Sequence, residues 1–167
     1  MTEWGDDYFM QLALRRAEHA LQKGKFPVGA IVALDGRPIG LESREVRIDH
    51  AEGRVIRQVF TFATKEEAAR MTLYTTLEPC LMCVGTILNC RIGQVAYAFE
   101  DPYGGGAHLL SPQFMPPRHR DDLPKLVRGL MRAESRVLLR RFFETTTSSY
   151  WRSHPENPLL KAVFQDD

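Results

Sequence analysis

The chain has 167 residues, 44% of them hydrophobic and 26% charged, and its 22 Lys and Arg against 21 Asp and Glu leave a formal net charge of +1. That length suits one compact domain with a sizeable core, and the composition is that of a soluble globular protein without repeats or low-complexity segments. No apolar run approaches a membrane span, the acidic start from Met1 to Asp7 is unlike a leader, and three cysteines point to a reducing, cytoplasmic setting.

Over residues 6–22, Phe9, Leu12, Ala13, Ala17, Ala20 and Leu21 recur at helical intervals, and Gly24 ends the helix. His19 reads as a surface residue on it. Residues 26–34 form a nearly continuous apolar run, as expected for a strand buried on both faces. Asp35-Gly36 is a hairpin signal that returns the chain through 37–40, and a polar loop over 41–48 delivers Asp49 and His50. A helix is expected from there, with Asp49 as its N-cap and Val55, Ile56, Val59 and Phe60 on its apolar side. Thr64 is a second N-cap. Residues 72–77 are rich in β-formers and read as a strand. Pro79 is suited to open a helix running to about Cys90.

Residues 94–99 are the next strand. They lead into a turn whose three glycines, Gly104 to Gly106, suggest a lid, with His108 beyond it. After a proline-interrupted loop over 111–124, a further strand is expected at 126–130 and a helix at 133–144. Arginines outnumber acids in this region, which reads as a solvated helix face rather than a phosphate-binding surface. Residues 145–167 form an extension with enough apolar side chains to pack on the domain of residues 1–144 or on a dimer partner.

Two stretches carry the chemistry, His50-Ala51-Glu52 and Pro79-Cys80-Leu81-Met82-Cys83. His50, Cys80 and Cys83 supply three zinc ligands, and three protein ligands with a fourth place left to water are the mark of a catalytic rather than a structural zinc. Cys80 and Cys83, three apart on a first helical turn, share a face, and the helix N-terminus favours thiolate. Cys90 falls about two helical turns on and cannot easily reach the same ion. Glu52, two residues after the histidine, is placed as the general acid and base. Taken singly, a C-x-x-C pair could be a redox couple or half of a structural zinc site, and a glutamate at that position could simply be a capping residue.

Taken together, the H-A-E and P-C-x-x-C motifs make the chain resemble the cytidine/deoxycytidylate deaminase superfamily, and most closely its tRNA adenosine deaminase and guanine deaminase branch. The similarity runs from Phe26-Pro27-Val28-Gly29-Ala30 through Leu73 to Cys80 and Arg91-Ile92-Gly93 to Asp101-Pro102, more faintly to Phe142-Phe143, and stops short of Thr145. The resemblance implies a three-layer α/β/α fold around a mixed sheet and one Zn2+ per chain. It also implies a homodimer and hydrolytic replacement of an exocyclic amine by oxygen. Substrate contacts are implied at Phe26, Val28, Arg44, Ala51, Pro79, Asp101 and Tyr103.

The chain departs from that pattern where members carry a base-binding Asn after the hairpin, since Ser43 or Arg44 stands there. Tyr103 stands where a basic residue commonly follows the Asp-Pro pair. These departures and the near-neutral charge favour a free base, nucleoside or nucleotide as substrate, with adenosine in tRNA as the alternative. A catalytically silent, zinc-stabilised binding module is the alternative of another class, and the intact Glu52 argues against it.

Overall fold

The computed structural model describes Trp4 to Gln165; Met1 to Glu3 of the acidic start, and Asp166 and Asp167 at the end of the extension, lie outside the described residues. Helix α1 (Asp6–Gln22) buries Phe9, Met10, Ala13, Ala17 and Ala20 along one side. Strands β1 (Gly29–Leu34) and β2 (Arg37–Ser43) are joined by Asp35 and Gly36 at φ 49° and 72°. Two consecutive positive φ angles are what a type I′ hairpin requires. Strand β2 runs past Gly40, so Leu41 to Ser43 are strand rather than the expected loop, held by pairing that reaches Gly29 opposite Ser43.

Strands β3 (Met71–Leu77), β4 (Gln94–Phe99) and β5 (Lys125–Arg128) complete a five-stranded sheet in the order β2-β1-β3-β4-β5. Strand β1 is antiparallel to both neighbours, whereas β3, β4 and β5 are parallel, so the sheet is mixed. Helices α2 (Ala51–Val59) and α4 (Leu81–Cys90) cover one face; α1, with α5 (Arg132–Thr145) beside it, covers the other. Side-chain alternation sorts the two cores. Ala30, Val32, Val95 and Phe99 join Val55, Ile56 and Val59 in one, while Ile31, Ala33, Ala96 and Ala98 join Phe9, Met10 and Ala13 in the other. The result is the three-layer α/β/α architecture expected from the sequence.

Two local details differ from expectation. Helix α2 takes His50 as its N-cap rather than Asp49, whose carboxylate instead accepts from Arg57 Nη2 at 3.0 Å. Helix α4 begins after Cys80, which leaves Pro79 just outside it. Thr64 caps the short helix α3 (Lys65–Ala68) with a full capping box, its Oγ1 accepting from Glu67 N while Glu67 Oε2 accepts from Thr64 N.

Beyond α5 the chain forms helices α6 (Ser149–Arg152) and α7 (Pro158–Phe164), the latter capped by Asn157 Oδ1, which accepts from Leu159 N at 2.9 Å. Leu159 and Val163 are buried in the larger core. Among the described residues, no helix is long and apolar enough to cross a membrane.

Candidate active site

The two motifs meet because β2 and β3, which lead on to α2 and α4, end at the same edge of the sheet. His50 and Cys80 are each the residue just before a helix, α2 and α4, and Cys83 lies one turn inside α4. His50 Nδ1 stands 3.4 Å from Cys80 Sγ and 3.6 Å from Cys83 Sγ, and the two sulfurs are 3.7 Å apart. A tetrahedral zinc with Zn–S of about 2.3 Å and Zn–N of about 2.0 Å requires ligand separations of about 3.5 Å between nitrogen and sulfur and about 3.8 Å between sulfurs. The triangle therefore fits the ion, and Nδ1 is the histidine nitrogen that faces it. Among the described residues it is the one group of three or more such side chains with this spacing. Cys90, half-buried as the last residue of α4, is outside it.

The electrostatics suit a cation. The contact with Cys83, aided by His50, holds the Cys80 thiol down at about 3, while the contact with Cys80 and burial push Cys83 up. His50 is raised, chiefly by its contact with Cys80. Glu52 is only 3% exposed, burial pushes its carboxyl up, and Oε2 has no hydrogen-bond partner. An unpartnered oxygen in so dry a place costs stability unless a ligand or water meets it.

A cavity of about 460 Å³ opens over these residues, within the size range of small-molecule sites. Of the residues expected to contact substrate, Phe26, Val28, Arg44, Asp101 and Tyr103 line it, together with His50, Glu52 and Cys80. Ala51 and Pro79 are buried and are not among its lining residues. Arg44 lies over the Phe26 ring at 5.3 Å. Burial lowers its pKa, against the opposing pull of Glu52, Cys80, Cys83 and Asp101. Asp101 Oδ1 accepts from the N–H groups of Tyr103 and Gly104, so it shapes its own turn.

A model of the cytidine and deoxycytidylate deaminase zinc-binding region matches residues 3–99, more than half of the chain. The chain belongs to the cytidine and deoxycytidylate deaminase family. Zinc is the metal of that region, and the reaction is hydrolytic deamination at a ring carbon. The deaminase is 38% identical over 141 residues to a tRNA-specific adenosine deaminase of Agrobacterium fabrum, spanning 81% of this chain and 92% of the relative. A tRNA-specific adenosine deaminase of Bacillus subtilis is 31% identical over 143 residues, 83% of this chain and 88% of that one. A solved structure from a study of A-to-I editing by tRNA:A34 deaminases at the wobble position of transfer RNA superposes with a TM-score of 0.70. It is 35% identical, over 79% of this chain and 99% of its own. NE0047 in complex with 2,6-diaminopurine, at 18% identity and a TM-score of 0.61 over 83% and 81% of the two chains, shares the fold.

Several residues of the deaminase's site carry no signal in the sequence read alone. Glu78, just before Pro79, lines the cavity. It accepts from Asp101 N at 3.1 Å and Ala107 N at 3.0 Å, tying the loop after β4 to the metal-binding turn. Gly104 to Gly106 belong to that tie rather than to a lid. Gly105 bridges to Cys80, and a Cβ there would come within 2.4 Å of the Glu78 carboxyl carbon. Arg47, Ser148, Tyr150, Trp151 and Leu159 also line the cavity, the last four from beyond Thr145. His19 and His108 are exposed and stand apart from the cavity, as does His154, which packs on Tyr150. In the arginine-rich region, Arg132 pairs with Glu100 and Arg141 with Glu18.

Proposed function

We propose that the protein hydrolyses the exocyclic amine of adenine, converting adenosine and water to inosine and ammonia, with adenosine in tRNA as the substrate. The observation that carries the chemistry is the buried Glu52 carboxyl group, whose Oε2 has no hydrogen-bond partner, beside the His50, Cys80 and Cys83 triangle at the cavity. The choice of ring and carrier draws on relatives more than 30% identical whose names specify tRNA adenosine.

Zinc, when held by His50, Cys80 and Cys83, lowers the pKa of water to about 7 and so supplies a nucleophile at neutral pH. Glu52 takes the proton released by water and delivers it first to a ring nitrogen and then to the departing amine. Burial moves its pKa upward from the ordinary carboxyl value, the direction that favours a proton-carrying role. Val28 and Phe26 wall the base and hold off bulk water, and Arg44 offers hydrogen bonds to its polar edge in place of an amide side chain.

A second reading keeps the ring and changes its carrier to a free base, nucleoside or nucleotide. It is favoured by one specific observation, the contribution of the C-terminal extension to the cavity wall. The test of the function is ammonia release from adenine, guanine and cytosine, their nucleosides and nucleotides, and a tRNA anticodon stem-loop, with inosine assayed in digested RNA. Inosine formation abolished by Glu52→Ala is the expected result. Release from cytosine or guanine compounds alone would overturn the assignment of the ring, and zinc retention without any turnover would favour a binding module.

A further inference from the structure

The loop between β2 and α2, residues 44–50, brings two guanidinium groups to the cavity, those of Arg44 and Arg47. The acids on and beside this loop are already matched to other cations. Glu42 accepts from Arg54 at 2.8 Å, Glu45 pairs with Lys25, and Asp49 accepts from Arg57 at 3.0 Å. Arg44 sits inward over the Phe26 ring, where Glu52, Cys80, Cys83 and Asp101 all draw on its charge. Arg47 is placed differently. It is exposed, and among the described residues it has no hydrogen bond, ion pair or ring contact. Its charge is felt at the Tyr150 hydroxyl, which lies 3.0 Å from that of Tyr103, so it stands at the rim those two residues share.

Resting on the adenine reading above, we infer that Arg47 is a phosphate-binding residue, taking the phosphate carried by the ribose of the target adenosine, whether a phosphodiester of RNA or the monoester of a free nucleotide. A base whose ring reaches the His50, Cys80 and Cys83 triangle leaves its ribose at the mouth of the cavity, and the phosphate on that ribose falls at the rim. Glu78 and Asp101 stand in the wall below, and their charges oppose an arriving anion. Arg44 is set among acidic groups that offset it, whereas Arg47 has no carboxylate of its own. Among the described lining residues it is therefore the guanidinium free to meet an anion, and its planar fork matches two phosphate oxygens. Because the group is exposed, the contact is modest in strength and sensitive to salt.

The test is a cycle between protein and substrate, run on the full-length zinc-loaded protein as wild type, Arg47→Gln and Arg47→Lys. Each is assayed for kcat/KM on an anticodon stem-loop carrying adenosine, and on copies in which the phosphodiester on the 5′ or the 3′ side of that adenosine is a neutral methylphosphonate. Adenosine against adenosine 5′-monophosphate forms a second arm, and titration calorimetry supplies Kd for any substrate without turnover. Wild type is expected to lose up to about fivefold at one of the two linkages, the ceiling for an exposed charge pair. Arg47→Gln should lose the same factor on the native stem-loop and nothing further on that neutral copy, and Arg47→Lys should recover part of it. Arg47→Gln should also flatten the slope of log Kd against log salt concentration by about 0.7, the share of one phosphate on a single strand. Its Tm should not move, because the side chain has no partner in the fold. Coupling in the stem-loop arm identifies the phosphate as that of RNA, and coupling in the monophosphate arm alone as that of a free nucleotide. Absence of coupling in both arms, with each variant losing the same factor on charged and neutral substrates, would overturn the inference. Failure of the adenine reading shows differently, as turnover or binding confined to guanine or cytosine compounds, on which the same cycle is then run.

Discussion

Replacing Glu52 by glutamine keeps the side chain's shape and removes its capacity to accept and return a proton. The carboxyl is 3% exposed and one oxygen lacks any hydrogen-bond partner, so the substitution breaks no bond at Oε2. Its cost falls on turnover. Loss of a positioned general acid and base is worth about 10²- to 10⁴-fold in rate, or about 2.7 to 5.4 kcal/mol of barrier. Stability moves little or rises, because a neutral amide avoids the burden that burial places on a carboxylate. Zinc should remain bound, since the carboxylate is not one of the three clustered ligand atoms. The assay is ammonia release by wild type, Glu52→Gln and Glu52→Ala, with zinc content and Tm measured on the same samples. Undiminished turnover, or zinc lost together with turnover, would refute the assigned role.

Gly29→Ala places a Cβ 2.1 Å from the Ala13 carbonyl oxygen and 2.5 Å from the Ala17 nitrogen. Forcing α1 off β1 should cost more than the about 1–3 kcal/mol of ordinary overpacking, read as a drop in Tm. Glu78→Gln weakens the carboxylate that accepts from both Asp101 N and Ala107 N, and a loss of about 1–3 kcal/mol with a raised KM is expected from denaturation curves and kinetics. The Tyr74 hydroxyl is held neutral by burial and by donating to Asp6 Oδ1 at 2.6 Å, which raises its pKa. A folded pKa above the unfolded value of about 10 gives stability that is complete below that pH and is lost as pH climbs beyond it. Tyr74→Phe should therefore flatten the alkaline limb of a stability-against-pH curve.

The zinc triangle was legible in the sequence because its geometry is local: Cys80 and Cys83 are set by one helical turn, and His50 is set by a helix start in the same layer. The hairpin at Asp35-Gly36 and the β3 and β4 strands were equally plain, since turn chemistry and apolar runs act over a few residues. Tertiary pairing extended β2 through Ser43, where composition alone suggested a loop. Asp49 was drawn from its expected cap by Arg57, eight residues away. The three glycines suggested motion, yet Gly105 and Gly106 serve close packing against Glu78 and Cys80, a contact between segments that no local pattern records. Tyr150 and Trp151 were visible as aromatic residues able to pack, but their place at the cavity depends on α7 being anchored in a core built elsewhere in the chain.

The proposed reaction requires a zinc held by one nitrogen and two sulfurs of the protein with a fourth position left open. Zinc-edge X-ray absorption on the purified protein tests this directly. One zinc per chain, with two sulfur neighbours at about 2.3 Å and two nitrogen or oxygen neighbours at about 2.0 Å, is the expected result. A third sulfur, which among the thiols only Cys90 could supply, or a protein that binds no zinc, would contradict it.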